Sequence, residues 1–210
     1  MIIEVLTVGP IMANCFIVAC NETLEAFVID PGDEAERILS RIRELNLSLK
    51  YIVNTHGHFD HVGANKQILN ETNAELLIHA LDAPMLDQLS TSAATWGLSA
   101  EDSPSPDRLI SDGDSLSVGT ITAKVLFTPG HTPGGISLLF NDTVFVGDTL
   151  FAGSIGRTDF PGGNFETLIH SIHTQLFPLA DQTRVYPGHG PDTTIVREKQ
   201  KRYNPFAGIE

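Results

Sequence analysis

The order of extended and helical patterns predicts an α/β protein, an αββα sandwich in which two mixed sheets pack face to face with helices outside. Three observations carry that expectation. Short apolar runs that read as strands alternate with amphipathic helical runs, and the series of strands then helices occurs twice along the chain. Apolar residues make up 41% and charged residues 19%, an ordinary globular balance. The length of 210 residues suits one core, so residues 1–210 are expected to form one domain.

The elements follow in order. Residues 2–6, 15–19 and 26–29 read as strands, and Asp30-Pro31-Gly32 breaks the chain. Asp33, with Glu36 three residues later, has the pattern of a capping box. It opens a helix whose Ala35, Ile38, Leu39, Ile42 and Leu45 share one face. Residues 51–53 form a short buried strand leading to His56; residues 62–70 are expected to be helical. Residues 76–78 return as a strand, and a short helix follows Asp82. Residues 90–108, rich in Ser, Thr and Pro, read as a loop over one edge, either a lid or a surface connection. Strands return at 115–118, 121–127, 136–140 and 144–146. Asn164 is placed to cap a helix carrying Phe165, Leu168, Ile169, Ile172 and Leu176 on one face. A last strand at 184–186 leads into a final helix expected near 193–202.

Charge and punctuation exclude several classes of function. A formal net charge of −13 repels phosphate backbones, which argues against a nucleic-acid binder. No apolar run reaches about 18 residues, so no membrane span is expected. The start, MIIEVLTVGP, lacks the basic and cleavage-site features of a signal peptide, and a cytoplasmic location is expected. Cys15 and Cys20 are five apart on a strand pattern, hence on opposite faces, and are expected to be buried free thiols.

The chemistry concentrates in Thr55-His56-Gly57-His58-Phe59-Asp60-His61. His56 and His58 are two apart, so in extended chain both point the same way, and Gly57 between them leaves room for an ion. Asp60 and His61 follow where the chain turns into the next helix. Imidazole and carboxylate together suit zinc first, with iron or manganese also compatible. Three further candidates stand just past short strands and beside glycines: His131 in Thr128-Pro129-Gly130-His131, Asp148 after Gly147, and His189 in Pro187-Gly188-His189-Gly190. Strand ends gathered at one edge make a natural site. His79, His170 and His173 lie on or beside helical patterns with no partner set, and read as surface or capping residues.

The His-x-His-x-Asp-His run followed by a distant His, Asp and His resembles the signature of metallo-β-lactamase-fold hydrolases, and the likeness runs from the first strand to Gly190. Within them the chain looks most like the short relatives of glyoxalase II, on Ala152-Gly153-Ser154-Ile155-Gly156-Arg157-Thr158-Asp159-Phe160 and the ending Asn204-Pro205-Phe206. The resemblance implies the αββα fold and two divalent metal ions, one at His56, His58 and His131, the other at Asp60, His61 and His189, with Asp148 bridging. It also implies that Asp30 accepts a hydrogen bond from a ligand histidine, although a turn at the strand end reads equally from the sequence. Full-length glyoxalase II carries a helical C-terminal domain that binds glutathione, and the chain has only 21 residues after His189, so those glutathione-binding residues have no counterpart.

The resemblance implies a small-molecule substrate and, as the first reading, a thioesterase reaction on an S-lactoylglutathione-like compound. Two metals ~3.5–4 Å apart lower the pKa of a shared water toward ~7, and Asp60 is placed both to bind metal and to orient that nucleophile. A thiolate, from a thiol of pKa ~8.5, leaves without a strong acid. Arg157 either contacts an anionic substrate or pairs with Asp159. The alternative reaction is that of persulfide dioxygenases, which share the fold and hold one iron through two His and one Asp; His56, His131 and Asp148 match. The sequence leaves the oligomeric state open.

Overall fold

A computed structural model describes residues 1–209. The first sheet has six strands hydrogen-bonded in chain order: β1 (Ile2–Val8), β2 (Ala13–Ala19), β3 (Glu25–Ile29), β4 (Ser48–Val53), β5 (Glu75–His79) and β6 (Arg108–Ile110). The β1–β2 and β2–β3 pairs are antiparallel, whereas β3 through β6 run parallel. The second half supplies β7 (Ser115–Val118), β8 (Ile121–Phe127), β9 (Ile136–Phe140) and β10 (Thr143–Gly147). A ribbon of β11 (Leu150–Phe151) and β12 (Ser154–Ile155) follows, then β13 (Arg184–Pro187) and β14 (Thr193–Thr194). The second sheet has the order β14-β13-β10-β9-β8-β7, with β10 and β13 parallel and the other pairs antiparallel. Both sheets are therefore mixed, and the expected sandwich is observed.

The alternation along β2 shows why the layers stack. All seven of its residues are buried, because both faces of the strand are covered. Cys15, Ile17 and Ala19 face outward against Ile38 and Ile42 of α1 (Ala35–Glu44) and, past α2 (Phe59–Val62), Ile68 of α3 (Asn65–Glu71). Phe16 and Val18 face inward, where Phe27, Phe140 and Phe145 fill the space between the sheets. The Phe16–Phe145 and Phe27–Phe140 ring centroids are 4.9 and 5.4 Å apart. Each such buried ring contributes about 1.5–3 kcal/mol relative to exposure. After α4 (Leu89–Ala94), α5 (Phe165–Ser171) covers the far face of the second sheet, packing Leu168 and Ile169 on Val144, Val146 and Val185. α6 (Ile195–Glu198) ends the set of α-helices among the described residues.

Several local expectations change. The capping box does not form: Glu34, at φ 53°, occupies the cap of α1 without a side-chain cap bond. Asp33 instead accepts from the Glu34 N–H, and Glu36 pairs with Arg43. The helix expected over 62–70 starts earlier, at Phe59, and breaks at Gly63–Ala64, where Ala64 N donates to the Pro31 carbonyl at 2.9 Å. A Cβ on Gly32 would collide with the Asp60 carbonyl, so this glycine lets the strand end pass directly beneath the start of α2. Residues 90–108 are not one loop. α4 and β6 claim their ends, and Ser103 N to Leu86 O and Asp107 N to Leu76 O fasten the rest to the body. The final helix shortens to α6. Buried Glu198 draws in Thr193 Oγ1, Gly153 N and Asn204 Nδ2, bending the chain into turns rather than a longer helix. Asn164 caps α5 as expected, accepting from Thr167 N at 2.8 Å. Cys15 and Cys20 are both buried and free. Among the described residues, no helix is long and apolar enough to cross a membrane.

Candidate metal centre

The strand directions bring five loops to one edge. Asp30 follows β3, His56 follows β4, His131 follows β8, Asp148 follows β10 and His189 follows β13. Backbone bonds across the sheets lock these loops together: Ile136 N to Thr55 O at 2.9 Å, Gly188 N to Gly147 O at 2.7 Å, and Asn14 N to Gly188 O at 2.7 Å. All seven candidate ligands converge there.

His56, His58 and His131 form one group whose ligating nitrogens lie within 4.8 Å of one another. Their tautomers follow from their outer partners. Thr55 Oγ1 donates to Asp30 Oδ2 at 2.6 Å, so it accepts from His56 Nδ1–H at 3.1 Å, leaving the His56 Nε2 lone pair inward. His131 Nδ1–H donates to the Arg157 carbonyl at 2.8 Å, which turns its Nε2 toward His58 Nδ1, 2.9 Å away.

Asp60, His61 and His189 form the second group. α2 begins at Phe59, and its first turn carries Asp60 and His61. His61 Nδ1–H donates to Asp30 Oδ2 at 3.1 Å, so its Nε2 faces inward, 3.2 Å from His189 Nε2. Asp60 Oδ2 is 3.3 Å from His189 Nε2. Asp148 stands between the groups: Oδ1 is 3.5 Å from His61 Nε2, and Oδ2 is 3.6 and 3.7 Å from the Nε2 atoms of His131 and His189. A third set, Asp30 with His56 and His61, meets the same distance criterion. Asp30, however, already accepts from Thr55 N, Thr55 Oγ1 and His61, so it braces the ligands instead of competing for an ion.

The two groups differ electrostatically. Burial, then repulsion by His61 and His58, pushes His56 well below the usual histidine range. Burial and the neighbouring His131 bring His58 down to about 4. In the second group burial acts the same way on His61 but is outweighed by Asp148, Asp60 and Asp30, which push it up to about 10. His189 is also raised, with burial overcome by the Asp60 hydrogen bond and Asp148. Burial favours the neutral Asp60 carboxyl, yet His61 and His189 hold it well below the usual carboxylate range. Protons on histidine thus balance the carboxylates wherever no cation does.

The donors fit cations. Asp148 Oδ1 and His56 Nε2 are buried without a hydrogen-bond partner, each a cost of about 1–3 kcal/mol that a positive ion would remove. A Cβ on Gly188 would strike Asp148 Oδ1 and the His61 ring, so glycine there keeps the cleft open for those donors. Nitrogen and carboxylate donors in two sets suit zinc, iron or manganese.

Sequence reasoning missed part of the frame. Asp82 is fully buried; its carboxylate accepts from Gly57 N at 3.1 Å and Gly134 N at 2.6 Å, tying the His56–His58 loop to the loop after His131. Asn14 Nδ2 donates to the carbonyls of Pro187 and Gly190 at 3.0 and 2.9 Å, holding the His189 loop from the opposite sheet. Both bonds link positions far apart in sequence, and the only signal for Asp82 was an Asp between a strand and a short helix. Arg157 forms a two-pronged pair with Asp159, both bonds 2.7 Å, and its guanidinium stacks 3.7 Å from the Phe160 centroid. Phe160 in turn lies 5.7 Å from the His58 ring and 6.0 Å from Trp96, forming an aromatic rim on that side.

Two sheets presenting paired His/Asp donor sets at one edge define a class, the metal-binding αββα proteins, most of them hydrolases. The chain belongs to the metallo-β-lactamase superfamily, whose sequence profile matches residues 8–189. It is 43% identical over 208 residues to the hydroxyacylglutathione hydrolase GloC of Haemophilus influenzae, covering 97% of each chain. Among solved structures it resembles the B3 metallo-β-lactamase BLEG-1, with a TM-score of 0.91 and 34% identity over 99% of this chain and 100% of that one. TTHA1623 in a di-iron-bound form gives 0.87 and 37%, covering 97% and 99%. ETHE1 from Myxococcus xanthus gives 0.83 and 33%, covering 100% and 86%.

Proposed function

We propose that the protein hydrolyses a glutathione-type thioester, S-lactoylglutathione or a close analogue, at a two-metal centre. The observation that carries this reading is Asp148, whose two carboxylate oxygens reach histidines of both donor sets. Two divalent cations held by His56, His58 and His131 and by Asp60, His61 and His189 would supply Lewis acidity and a water ionised near neutral pH.

The chain's own residues do the rest. Asp30 fixes the His61 tautomer directly and that of His56 through Thr55, so both present lone pairs inward. Asp60, whose Oδ2 lies 3.3 Å from His189 Nε2 and which lines the adjoining cavity, would accept a hydrogen of the attacking water and align it on the thioester carbonyl. The departing thiolate, of thiol pKa ~8.5, needs no proton from the protein. Phe160, 5.7 Å from the His58 ring, and Trp96 beyond it give that side of the cleft an aromatic edge. Similarity to the Haemophilus influenzae hydroxyacylglutathione hydrolase supports the choice of thioester.

A second reading is persulfide oxygenation at one iron held by His56, His131 and Asp148, and the likeness to ETHE1 favours it. The Asp60, His61 and His189 set is compatible with both reactions, and the higher identity to the hydroxyacylglutathione hydrolase, 43% against 33%, ranks this reading second. Elemental analysis of the native protein, paired with both assays, tests the choice. The expected result is close to two metals per chain and thiol release from S-lactoylglutathione. One iron per chain, with oxygen uptake on glutathione persulfide and no thioester cleavage, would reverse the order.

A further inference from the structure

A cavity of about 390 Å³ opens beside Asp60, and Phe160 is not among its walls. Its walls are the turn after β1, the Gly32–Asp33 corner, the start of α2, and residues 98–101 beyond α4. The turn belongs to the His189 side: just past it, Ala13 bridges His189 and Asn14 holds Gly190. Cavities of this size fall in the range of small-molecule pockets. At ~30 Å³ per water, it holds about a dozen waters, far more room than a lactoyl group fills.

The lining has a definite chemistry. Ile11, Phe59 and Leu98 give it apolar surface, and Asp33, Asp60 and Glu101 are the charged side chains on its walls. Glu101 pairs with Lys66 at 3.3 Å and Asp60 faces His189 and His61 at 3.3 and 3.6 Å, so among the described residues Asp33 is the carboxylate of these walls without a cationic partner. No Lys, Arg or His lines it. A carboxylate entering this space meets like charge without a counter-ion. The charged peptide of a glutathione-type thiol is therefore directed to the other side, along Phe160 and Arg157.

We propose that this cavity is the acyl subsite of the thioesterase, and that it selects uncharged acyl groups bulkier than lactoyl. The inference rests on the thioester reading above and adds the orientation and class of the substrate: acyl group toward Ile11 and Leu98, thiol toward Phe160. An apolar substituent such as a phenyl ring gains contact with Phe59 and Leu98 that a methyl group cannot reach.

The metal-loaded protein tests it with glutathione thioesters of four acyl groups: lactoyl, mandeloyl, butyryl and succinyl. Mandeloyl should match or exceed lactoyl in kcat/KM, and butyryl should exceed succinyl by about tenfold or more. Ser99→Phe, at an exposed wall position, narrows the space and should lower the mandeloyl-to-lactoyl ratio about tenfold. Asp33→Asn keeps the acceptor for Glu34 N and should narrow the butyryl-to-succinyl gap. Mandelamide, an uncharged probe, should also change the fluorescence of Trp96, the one tryptophan, two residues before Leu98, and Ser99→Phe should weaken that response. If lactoyl is cleaved but neither variant moves its ratio, the subsite lies elsewhere while the thioesterase stands. If no thioester is cleaved, the function proposed above fails, and this assignment with it.

Discussion

The two donor sets are built from similar parts and arrive at opposite charge states. His56, His58 and His131 sit in a nest of histidines, and burial plus mutual repulsion strip His56 and His58 of protons well into the acid range. Asp60, His61 and His189 sit against Asp148 and Asp30, and those carboxylates keep His61 protonated up to about pH 10. The first set offers free lone pairs; the second offers negative charge with protons in the way. A cation enters the first by filling a neutral cage, and the second by exchanging for a proton. Asp148 belongs to both and couples them.

That contrast is sharpest where the sets meet. Asp148→Ala removes the shared carboxylate, and the expected loss of thioesterase activity is on the order of 10³-fold or more, with metal content falling below one per chain. Turnover within a few-fold of the parent would remove Asp148 from the centre. The single-set variants separate the halves. His58→Ala should empty the first set while His189→Ala empties the second, each lowering the affinity of its own ion by about 10²-fold or more. Titration with a chromophoric divalent ion such as cobalt checks this. If either substitution releases both ions equally, the two sets are one cooperative site and the comparison breaks.

How much of this was legible in the sequence depended on how far each contact reaches. The seven candidate ligands showed themselves because chemistry-bearing residues stood next to glycines just after strand patterns, and the sheet directions did the rest. Asp30 was readable as a brace only through family resemblance; the structure gives it three donors from Thr55 and His61. The strands of β2 and β8 to β10 were readable from their short runs of apolar, largely β-branched and aromatic residues. The failures were local contests decided by distant packing. Gly63 lies on the Gly32 carbonyl and interrupts a helix that periodicity would have continued, and Glu34 adopts φ 53° while its carboxylate accepts from Gly9 N, displacing the capping box.

Asp82 is the most consequential omission, and it yields the next prediction. Its carboxylate holds Gly57 and Gly134, which belong to the loops of the first set, and touches nothing in the second. Asp82→Ala should weaken retention of the first-set ion by about 10–100-fold and leave the second within a few-fold. Asp82→Asn keeps one acceptor oxygen and should fall between the parent and Ala. The measurement is ion release under a competing chelator. Equal loss from both sets would mean that Asp82 merely stabilises the fold.

The smallest effect is also the most diagnostic of the opposed charge states, because it is read without metal. In chelated protein, His58 titrates near pH 4 in the folded chain and near about 6.5 when unfolded. Between those values the unfolded chain binds the extra proton, so stability falls as pH drops from about 6.5 toward 4. His61 titrates near 10 when folded, so its contribution is complete below about 6.5 and is lost as pH rises toward 10. The chelated protein should therefore be most heat-stable near pH 6.5, with Tm declining by several degrees on either side, at ~2–4 °C per kcal/mol for a chain of this size. His58→Gln should reduce the acid limb alone, leaving the part due to His56, and His61→Gln should reduce the alkaline limb alone, leaving the part due to His189. Limbs that respond together to either substitution would show that the two sets do not hold opposite proton balances.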